Sequence, residues 1–426
     1  MKFKKPRGTS DLFGEKIELW LGIEGILTGV MKRYGYTEIR TPIFETTDLF
    51  IRAVGEGTDI VTKEMYTFTD KKGRSLTLRP ENTAPVMRAF LENGMHRRGG
   101  ITRFYYTGPM FRYDRPQAGR YRQFHQIGAE AIGSADPAVD AEIIDLSLAL
   151  YRALGFTQLD VRINSVGCPI CRSGYKKVLL KHLREFENDL CGACSERSII
   201  NPLRIFDCKE CGEVKKRLPV ITEHLCDECA SHFGKLRNLL DDVGITYTLD
   251  PLLVRGLDYY TKTAFEIVHP GVGAQNALCG GGRYDGLAED CGGDSLPAVG
   301  FSAGMERLIE ALPAETAAAL HGSTVEVYVV LLDGLLAGRA LILARKLREA
   351  GLSVTVDFSG RNIKKQFKGA SESGALYAAV LGPEEEARGS VTVKDLRTGE
   401  QEDVTFDRLG AYFSREREGK LRWPRE

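Results

Sequence analysis

The sequence predicts an α+β protein with a cysteine-rich insertion and a separate C-terminal α/β domain. Up to about residue 315, the patterns are mainly antiparallel strands with helices grouped beside them. Eight of the ten cysteines are confined to about 166–235. Beyond residue 325, apolar strands alternate with helices, which is typical of a small domain with a largely parallel sheet. We therefore expect a core over 1–320, an insertion over 166–235 and a C-terminal domain over 325–426.

Local patterns predict the elements of the core. Apolar residues at helical spacing over 14–34 indicate a helix that ends at Gly35. Asp136 followed by Pro137 has the residue types that begin a helix, and this one runs to Leu154. A further helix is expected from about Ser302. The predicted strands are 37–44 (broken by Pro42), 75–79, 101–113, 123–132, 245–249, 262–268 and 275–281.

The C-terminal part has its own pattern. The stretch Pro313–Ser323 opens on a helix-stopping proline and is mostly small or polar, so it is predicted to be a linker. A helix through Ala350 and a later basic helix separate the predicted strands 325–332, 353–356, 377–381 and 390–393. Four cations are expected on one face of the basic helix, either as a solvated face or as a ridge that follows nucleic-acid phosphates: Arg361, Lys364, Lys365 and Lys368.

Composition excludes some classes of protein. Lysine plus arginine and aspartate plus glutamate both number 58, so any contact with nucleic acid must come from local patches. The basic N-terminus is not followed by the apolar run of a signal peptide. An apolar stretch long enough for a membrane span is also missing from the sequence. These patterns predict a soluble cytoplasmic protein without a membrane partner.

The clustered cysteines form four CxxC pairs. Each pair places two thiolates on one side of a tight turn, and two pairs complete a tetrahedral shell for a structural zinc ion. The pairs are Cys168/Cys171, Cys191/Cys194, Cys208/Cys211 and Cys226/Cys229. They are expected to hold two ions, or one ion with the remaining pairs left over; the alternative is reduced thiols that bind nothing. Spacing alone leaves open which pairs share an ion.

Two segments carry the charged groups of a candidate active site. Leu253–Tyr260 combines Arg255 with a carboxylate and two phenols, and a glycine next to the arginine favours close approach to a substrate. The alternative is a surface arginine paired with Asp258. A predicted hairpin has a basic tip, and its returning strand places cations, an aromatic ring and a carboxylate on one face: Arg120, Arg122, Phe124, Gln126 and Glu130.

Together these segments resemble the histidyl-tRNA synthetase family of class II aminoacyl-tRNA synthetases over essentially the whole chain. In chain order, the segments that carry the resemblance are Tyr34–Glu45 (motif 1), Thr77–Ala84 (the amino-acid loop), Phe111–Glu130 (motif 2), Leu253–Tyr260 and Ala277–Asp285 (the two histidine motifs), and Gly304–Arg307 (motif 3). The resemblance implies an antiparallel sheet flanked by helices, an inserted domain, a C-terminal anticodon-binding domain and a homodimer. It also implies ATP with Mg²⁺, L-histidine and tRNA(His) as substrates.

The resemblance further implies residue roles. Arg255 and Arg112 are the expected catalytic residues. ATP is expected to contact Arg112, Asp114, Arg120, Phe124 and Arg307. Histidine is expected to contact Glu81, Thr83, Gln126, Glu130, Arg255, Tyr259 and Tyr260. The tRNA acceptor end is expected to contact Arg115, Gln117 and Arg122.

Two positions depart from the family pattern. Asp114 stands where glutamate is usual, and Asn82 replaces a common glycine at a turn that asparagine is expected to tolerate through a positive φ. Two other classes of protein fit the sequence less well. A catalytically inactive regulatory paralogue is disfavoured, because Arg112, Arg255 and Arg307 are all present. A zinc-knuckle RNA-binding module is disfavoured as well, because it does not explain the motifs at 77–84, 253–260 and 277–285.

Overall fold

A sheet of eight strands forms the centre of the larger part of the chain. The structure is a computed structural model that describes residues 3–115, 120–192, 194–195, 202–208, 210–270, 277–320 and 325–413. The chain divides into two compact units, one of Met1–Leu12 with Trp20–Ala317 and the other of Phe13–Leu19 with Ala318–Glu426. Within the described ranges, every helix is too short or too polar to cross a membrane.

The strands of the larger unit are β1 (Thr37–Glu38), β2 (Phe44–Thr46), β3 (Tyr66–Thr69), β4 (Ser75–Leu78), β5 (Thr102–Phe111), β6 (Gln123–Ile132), β7 (Asp160–Gly167), β8 (Thr248–Leu249), β9 (Thr261–Val268), β10 (Ala277–Arg283) and β11 (Ala298–Gly304). The main sheet has the order β1-β5-β6-β11-β10-β9-β7-β8. Its six central strands are mutually antiparallel, whereas β1 and β8 pair in parallel at the two edges. A small antiparallel sheet has the order β2-β4-β3. The predicted antiparallel core is confirmed.

Helices surround this sheet. They are α1 (Glu15–Arg33), α2 (Thr47–Val54), α3 (Thr83–Glu92), α4 (Pro137–Ala153), α5 (Pro169–Glu185), α6 (Gly212–Lys215), α7 (Asp227–Asp242), α8 (Leu287–Asp290), α9 (Met305–Glu310) and α10 (Ala314–Leu320). The predicted start of α4 is confirmed, since the Asp136 carboxylate accepts a hydrogen bond from the Ala138 N–H at 2.9 Å. The apolar core between helices and sheet includes Phe50, Met87, Phe104 and Leu287.

Several expectations for the core need correction. The helix expected from Ser302 begins at Met305, because Ser302 is still paired in β11 opposite Gly280. The division between the two units falls inside the predicted linker, between Ala317 and Ala318, but the stretch Ala314–Leu320 is helical. Its run of alanines has a high helix propensity, and Pro313 precedes the helix, where its missing N–H costs nothing. The sequence patterns also missed β3, β7, α2 and α3.

The smaller unit is an α/β domain with a mixed sheet. Its elements are β12 (Val327–Leu331), α11 (Ala337–Glu349), β13 (Val354–Val356), α12 (Ile363–Glu372), β14 (Tyr377–Leu381), α13 (Pro383–Arg388), β15 (Ser390–Asp395) and β16 (Gln401–Thr405). The strand order is β13-β12-β14-β15-β16, and β14, β15 and β16 pair antiparallel. Two of the four strand pairs are parallel and two are antiparallel. The predicted largely parallel sheet is therefore only half parallel, because a short connection returns the chain from β14 to β15 and the sequence patterns missed β16.

The basic helix of this unit is α12, and its predicted cationic face loses one member. Asn362 is the N-cap and accepts a hydrogen bond from the Lys365 N–H, so Arg361 lies before the helix. The Arg361 guanidinium pairs with Asp357 at 2.8 Å. Lys364, Lys365 and Lys368 remain on the helix.

Candidate active site

A cavity of about 390 Å³ opens over the centre of the main sheet. Most of the predicted ATP and histidine contacts line it: Glu81, Thr83, Arg112, Asp114, Arg120, Phe124, Gln126, Arg255, Tyr259, Tyr260 and Arg307. Three further carboxylates that the sequence reasoning missed also line it, Glu64, Glu266 and Glu306. The structure therefore brings residues separated by more than 200 positions into one polar site.

Arg255 lies on the floor of this cavity. Its guanidinium pairs with the carboxylate of Glu266 on β9. A row of small residues, Gly128, Ser302 and Gly280, leads across the sheet to Glu266. A Cβ atom at Gly280 would lie 2.1 Å from Nη2 of Arg255. The guanidinium therefore lies flat on the sheet only because residue 280 has no side chain.

These contacts correct the interpretation of the Arg255 segment. The glycine that makes room for the arginine is Gly280 on β10, since a Cβ at Gly256 would have its nearest neighbour, Arg204 Nη1, at 4.0 Å. The alternative of a surface Arg255 paired with Asp258 is also wrong. Arg255 pairs with Glu266, and Asp258 pairs with Arg204 at 2.7 Å.

Arg112 enters the cavity directly after β5. Its Nε–H donates to the carbonyl of Pro80 at 2.9 Å, and its guanidinium carbon lies 5.3 Å from the centre of the Phe124 ring. Burial lowers the pKa of Arg112, while the carboxylates of Glu64 and Glu81 oppose that shift. The result is a fixed, desolvated cation, which is suited to an anionic ligand.

Arg307, Arg120 and Asp114 lie at another part of the cavity wall. Arg307 Nη1–H donates to the carbonyl of Ala277 at 2.9 Å. Arg120 forms an ion pair of 3.1 Å with Asp114. Burial lowers the pKa of Arg307, and the positive charge of Arg120 adds to this effect. The cavity therefore has cationic groups on several sides.

Two buried polar atoms point to a polar ligand. Among the described residues, Gln126 Oε1 and Arg255 Nε are buried without a hydrogen-bond partner. Both residues line the cavity. Because an unsatisfied buried polar atom costs about 1–3 kcal/mol, a ligand that supplies the missing partners would gain binding energy here.

Glu81 and Asn82 shape the turn before α3. The Glu81 carboxylate accepts hydrogen bonds from the backbone N–H groups of Thr83 at 2.7 Å and Ala84 at 3.1 Å. Burial raises the pKa of Glu81, and these two bonds oppose the shift. The positive φ expected at Asn82 is wrong, since its φ is −122°. Asn82 Oδ1 instead accepts a hydrogen bond from the hydroxyl of Thr41 at 2.6 Å.

Glu130 lies behind the cavity wall and is only 1% exposed. Its carboxyl group is held by the hydroxyls of Thr83 at 2.9 Å, Tyr106 at 3.3 Å and Tyr284. Burial raises the pKa of Glu130 to about 8, although the three hydroxyls favour the ionised form. Tyr284 also packs edge-on against Tyr259, whose ring lies 4.7 Å from that of Tyr260.

Two of the predicted tRNA-contacting residues, Arg115 and Arg122, lie between β5 and β6. Arg115 is exposed. Arg122 stacks over the Tyr113 ring at 4.1 Å, and its Nε–H donates to the carbonyl of Asp114 at 3.4 Å. Gln117 lies outside the described residues.

The segment Ala277–Asp285 is fixed from behind by a buried charge network. Arg283 is fully buried and pairs with Asp140 on α4 and with Asp285 at 3.1 Å. It also donates to the carbonyl of Ser134 at 2.8 Å. These bonds attach the end of β10 to the start of α4, and so hold the glycines under Arg255.

The eight clustered cysteines form two groups of four. Cys168, Cys171, Cys226 and Cys229 form one group, and Cys191, Cys194, Cys208 and Cys211 form the other. In each group all sulfur atoms lie within 4.8 Å of one another. The first and last CxxC pairs therefore share one group, and the two middle pairs share the other.

The fold and the cavity together define a class II synthetase, and comparisons with known proteins identify which one. The family model described as histidyl-tRNA synthetase matches residues 8–173 and 207–308, and the anticodon binding domain model matches 326–416. The histidine–tRNA ligase of Halothermothrix orenii is 49% identical over 411 residues, which is 96% of this chain and 98% of that protein.

Two further relatives agree. The histidine–tRNA ligase of Thermotoga maritima is 47% identical over 97% of this chain and 99% of its own length. The crystal structure of apo Staphylococcus aureus histidyl-tRNA synthetase has a TM-score of 0.81 and 40% identity, and covers 96% of this chain and 99% of that one. The chain belongs to the histidyl-tRNA synthetase family. Its activity is that of a histidine–tRNA ligase.

The raised pKa of Glu130 predicts a pH-dependent stability. The folded protein keeps a proton on Glu130 up to about pH 8, whereas the unfolded chain releases it above about 4.5. The contribution of Glu130 to stability therefore falls by about 1.4 kcal/mol per pH unit as pH rises between these values. Glu130→Gln removes this slope, so the melting temperature of the variant minus that of the wild type should increase from pH 5.5 to pH 7.5.

The control for this measurement is Glu289→Gln, which changes an exposed glutamate on α8. Its melting temperature should follow that of the wild type at every pH. If the melting temperatures of Glu130→Gln and the wild type changed with pH in parallel, Glu130 would be ionised in the folded protein and the prediction would be wrong.

Proposed function

We propose that the cavity binds histidine and ATP side by side and forms histidyl-adenylate, releasing pyrophosphate. The histidine carboxylate attacks the α-phosphorus of ATP, and the bond to the pyrophosphate oxygen breaks. The observation that carries this proposal is the cavity itself, which combines several partly buried arginines with two buried polar atoms that lack a hydrogen-bond partner. The Mg²⁺ that accompanies ATP is part of the substrate. In the second step, the terminal ribose hydroxyl of tRNA(His) attacks the activated carbonyl and AMP leaves.

Arg255 and Arg112 are the proposed catalytic residues. Both are partly buried cations that line the same cavity. As the nucleophile attacks, negative charge grows on the α-phosphate oxygens, and fixed cations stabilise that charge without reorganising. Arg255 lies beside the α-phosphate in this proposal, and its ion pair with Glu266 fixes the orientation of its guanidinium group.

The remaining ATP contacts follow from the same cavity. We assign Arg307 to the γ-phosphate and the ring of Phe124 to adenine. Arg120 and Asp114 are assigned to ATP as well, and their mutual ion pair supports a joint role. The positioning of ATP against histidine supplies much of the rate, because phosphoryl-centre chemistry depends on alignment and electrostatics.

Histidine recognition uses other residues of the same cavity. We assign the α-amino group of histidine to Glu81, Thr83 and Gln126, of which Gln126 offers an unsatisfied oxygen. The imidazole is assigned to Tyr259, Tyr260 and Glu130. A neutral imidazole needs one donor and one acceptor, and a buried carboxyl group with a phenol supplies both. Glu130 acts from behind the wall, through the hydroxyls that hold it.

The tRNA is proposed to meet two parts of the chain. Its acceptor end contacts the hairpin tip through Arg115, Arg122 and Gln117. Its anticodon contacts the C-terminal domain, 325–426, which is supported by the match to the anticodon binding domain model. We further propose that 1–320 is the catalytic core, with 166–235 as its insertion, and that the enzyme works in the cytoplasm.

The two cysteine groups are proposed structural zinc sites. In a tetrahedral site with Zn–S bonds of about 2.3 Å, sulfur atoms lie roughly 3.8 Å apart. The distance is 3.6 Å from Cys168 to Cys171, 3.9 Å from Cys168 to Cys226, and 3.7 Å from Cys191 to Cys208. Backbone N–H groups of Cys226 and Cys191 also donate to sulfur atoms, as in sites that hold thiolates. Four sulfur ligands leave no position for a substrate, so the sites would stabilise the insertion.

We also propose a homodimer that forms through motif 1. Ile43 and Phe44, at the end of that motif, are 45% and 50% exposed. Phe44 packs edge-on against Phe68, which is 44% exposed, at a ring distance of 6.3 Å. Such an exposed apolar cluster is typical of an interaction surface.

The catalytic role of Arg255 predicts that Gly280→Ala silences activation. The new methyl group would overlap the Arg255 guanidinium and displace it. Since one preorganised donor contributes ~3–4 kcal/mol to the transition state, ATP–pyrophosphate exchange should fall by roughly 100-fold or more.

The wild-type enzyme should exchange only when histidine is the amino acid supplied. Gly286→Ala is the control, because a Cβ there has nothing within 4 Å and should leave exchange unchanged. Exchange at the wild-type rate in Gly280→Ala would contradict the role of Arg255.

The zinc proposal predicts the metal content of the purified protein. Elemental analysis should find about two zinc ions per chain, since each group of four thiolates completes one shell. Cys226→Ser should lose one ion, and Cys226→Ser with Cys208→Ser should lose both. Cys291→Ser alters a cysteine outside both groups and should keep both ions. A wild-type protein without zinc would refute the proposal.

The dimer proposal predicts a mass change. Light scattering after size-exclusion chromatography should give twice the mass of the chain for the wild type. Phe44→Glu places a charge in the apolar cluster and should give the monomer mass at the same concentration, because desolvating an unpaired charge opposes association. Phe358→Glu changes an exposed phenylalanine of the smaller unit and should remain a dimer. A monomeric wild type would exclude the proposed interface.

A further inference from the structure

The cysteine-rich insertion is bonded directly to the loop that carries Arg255. Arg204, in a 3₁₀ turn of the insertion (Pro202–Asp207), donates from Nη2 to the Asp258 carboxylate at 2.7 Å. Arg172, on α5 of the insertion, donates from Nη1 to the Asp258 backbone carbonyl at 3.3 Å. Both contacts end on one residue, three positions after Arg255.

Asp258 is held from the core side as well. Its backbone N–H donates to the carbonyl of Val54 at the end of α2, at 3.2 Å. Gly55, the next residue, has a φ of +101°, and a Cβ there would lie 2.6 Å from Oδ2 of Asp258. The carboxylate therefore occupies space that only a glycine leaves open. Asp258 is thus held between the insertion and the core.

A second cavity of about 460 Å³ contains this contact and adjoins the active site. Arg204, Asp207 and Asp258 line it, and Arg255 lines both cavities. Arg204 also donates from Nη1 to Asp207 at 3.2 Å, and its side chain is only 13% exposed. The carboxylate of Asp207 also attracts the Arg255 guanidinium electrostatically. Partial burial makes these charge interactions stronger than those of exposed pairs.

The loop that carries Arg255 also makes apolar contacts with the insertion. Leu252 and Val254 pack against the apolar core of the insertion, which includes Tyr175, Leu179 and Phe206. The position of the Arg255 backbone is thus set by the insertion on one side. The histidyl-tRNA synthetase model does not match residues 174–206, so Arg204 lies outside the part of the chain that the family pattern describes.

We infer that Arg204 is a positioning residue for histidine activation, which acts by holding Asp258 and, through the loop, Arg255. This inference rests on the proposed function of Arg255. It gives the insertion a role in the first step of the reaction, in which tRNA takes no part. An insertion that only contacts tRNA would have no effect on that step.

The test is ATP–pyrophosphate exchange measured without tRNA. In Arg204→Ala the kcat of exchange should fall roughly 10- to 100-fold, the range expected for a lost hydrogen bond between charged groups. The KM values for histidine and ATP should change less, because the arginine acts on the transition state through Arg255. Arg204→Lys should recover part of the loss, since a shorter cation can still reach a carboxylate.

A double-mutant cycle tests whether the effect passes through Asp258. Asp258→Asn should lower kcat in the same direction as Arg204→Ala. The double variant should be about as slow as the slower single variant, because both changes break one contact. Arg217→Ala is the matched control, since this insertion arginine stacks on the Phe186 ring at 4.4 Å and should exchange at the wild-type rate.

Different results would overturn different proposals. Wild-type exchange in Arg204→Ala, with a lower rate of tRNA aminoacylation, would show that the insertion acts only through tRNA. Multiplicative losses in the double variant would show that the two residues act independently. If Arg204→Ala fails to fold by circular dichroism, Asp258→Asn tests the same contact from the core side, and its wild-type exchange would overturn the inference. Wild-type exchange in Arg255→Ala would instead refute the proposed function.

Discussion

The arrangement of the active site depends on the contact of Arg255 with the glycine floor of the sheet. A guanidinium can lie flat on a sheet only where the strands below carry no side chains. Gly280 provides that surface, and Glu266 on the neighbouring strand pairs with the charge. The close packing around Gly281 and Gly282 allows no Cβ either, since the nearest backbone oxygens would lie at 2.3 Å. The glycine-rich segment thus shapes the floor of the cavity.

Much of this fold was predictable because the signals are local. The strand over Gln123–Ile132 and the helix capped by Asp136 follow from alternation and from capping chemistry between neighbouring residues. The predicted linker contains the boundary between the two units but is helical over α10, because its alanines favour a helix and a proline just before a helix is tolerated. The sequence predicted a largely parallel sheet in the smaller unit, but β14, β15 and β16 pair antiparallel at one edge.

The sequence predicted which residues line the cavity, but it did not predict which residues they contact there. Resemblance in motifs selected the residues that line the cavity, yet the partner of Arg255 is Glu266 and not the nearby Asp258. Pairing across strands depends on register, which sequence spacing does not reveal. The grouping of the CxxC pairs was also not readable from spacing, because the first and last pairs lie 58 residues apart in the chain and meet where α5 and α7 begin, at Cys168 and Cys226. Asn82 accepts a hydrogen bond from Thr41 at a φ of −122°, so its place in the turn does not require the positive φ that the sequence predicted.

The central claim is that Arg255 and Arg112 together hold the α-phosphate during activation. The most direct measurement is a crystal structure of the enzyme with a non-hydrolysable histidyl-adenylate analogue, in which a sulfamoyl group replaces the phosphate. The account predicts both guanidinium groups within hydrogen-bond distance of the sulfamoyl oxygens, with Arg255 still paired to Glu266 over Gly280. A sulfamoyl group bound away from Arg255, with the arginine left on Glu266 alone, would contradict it.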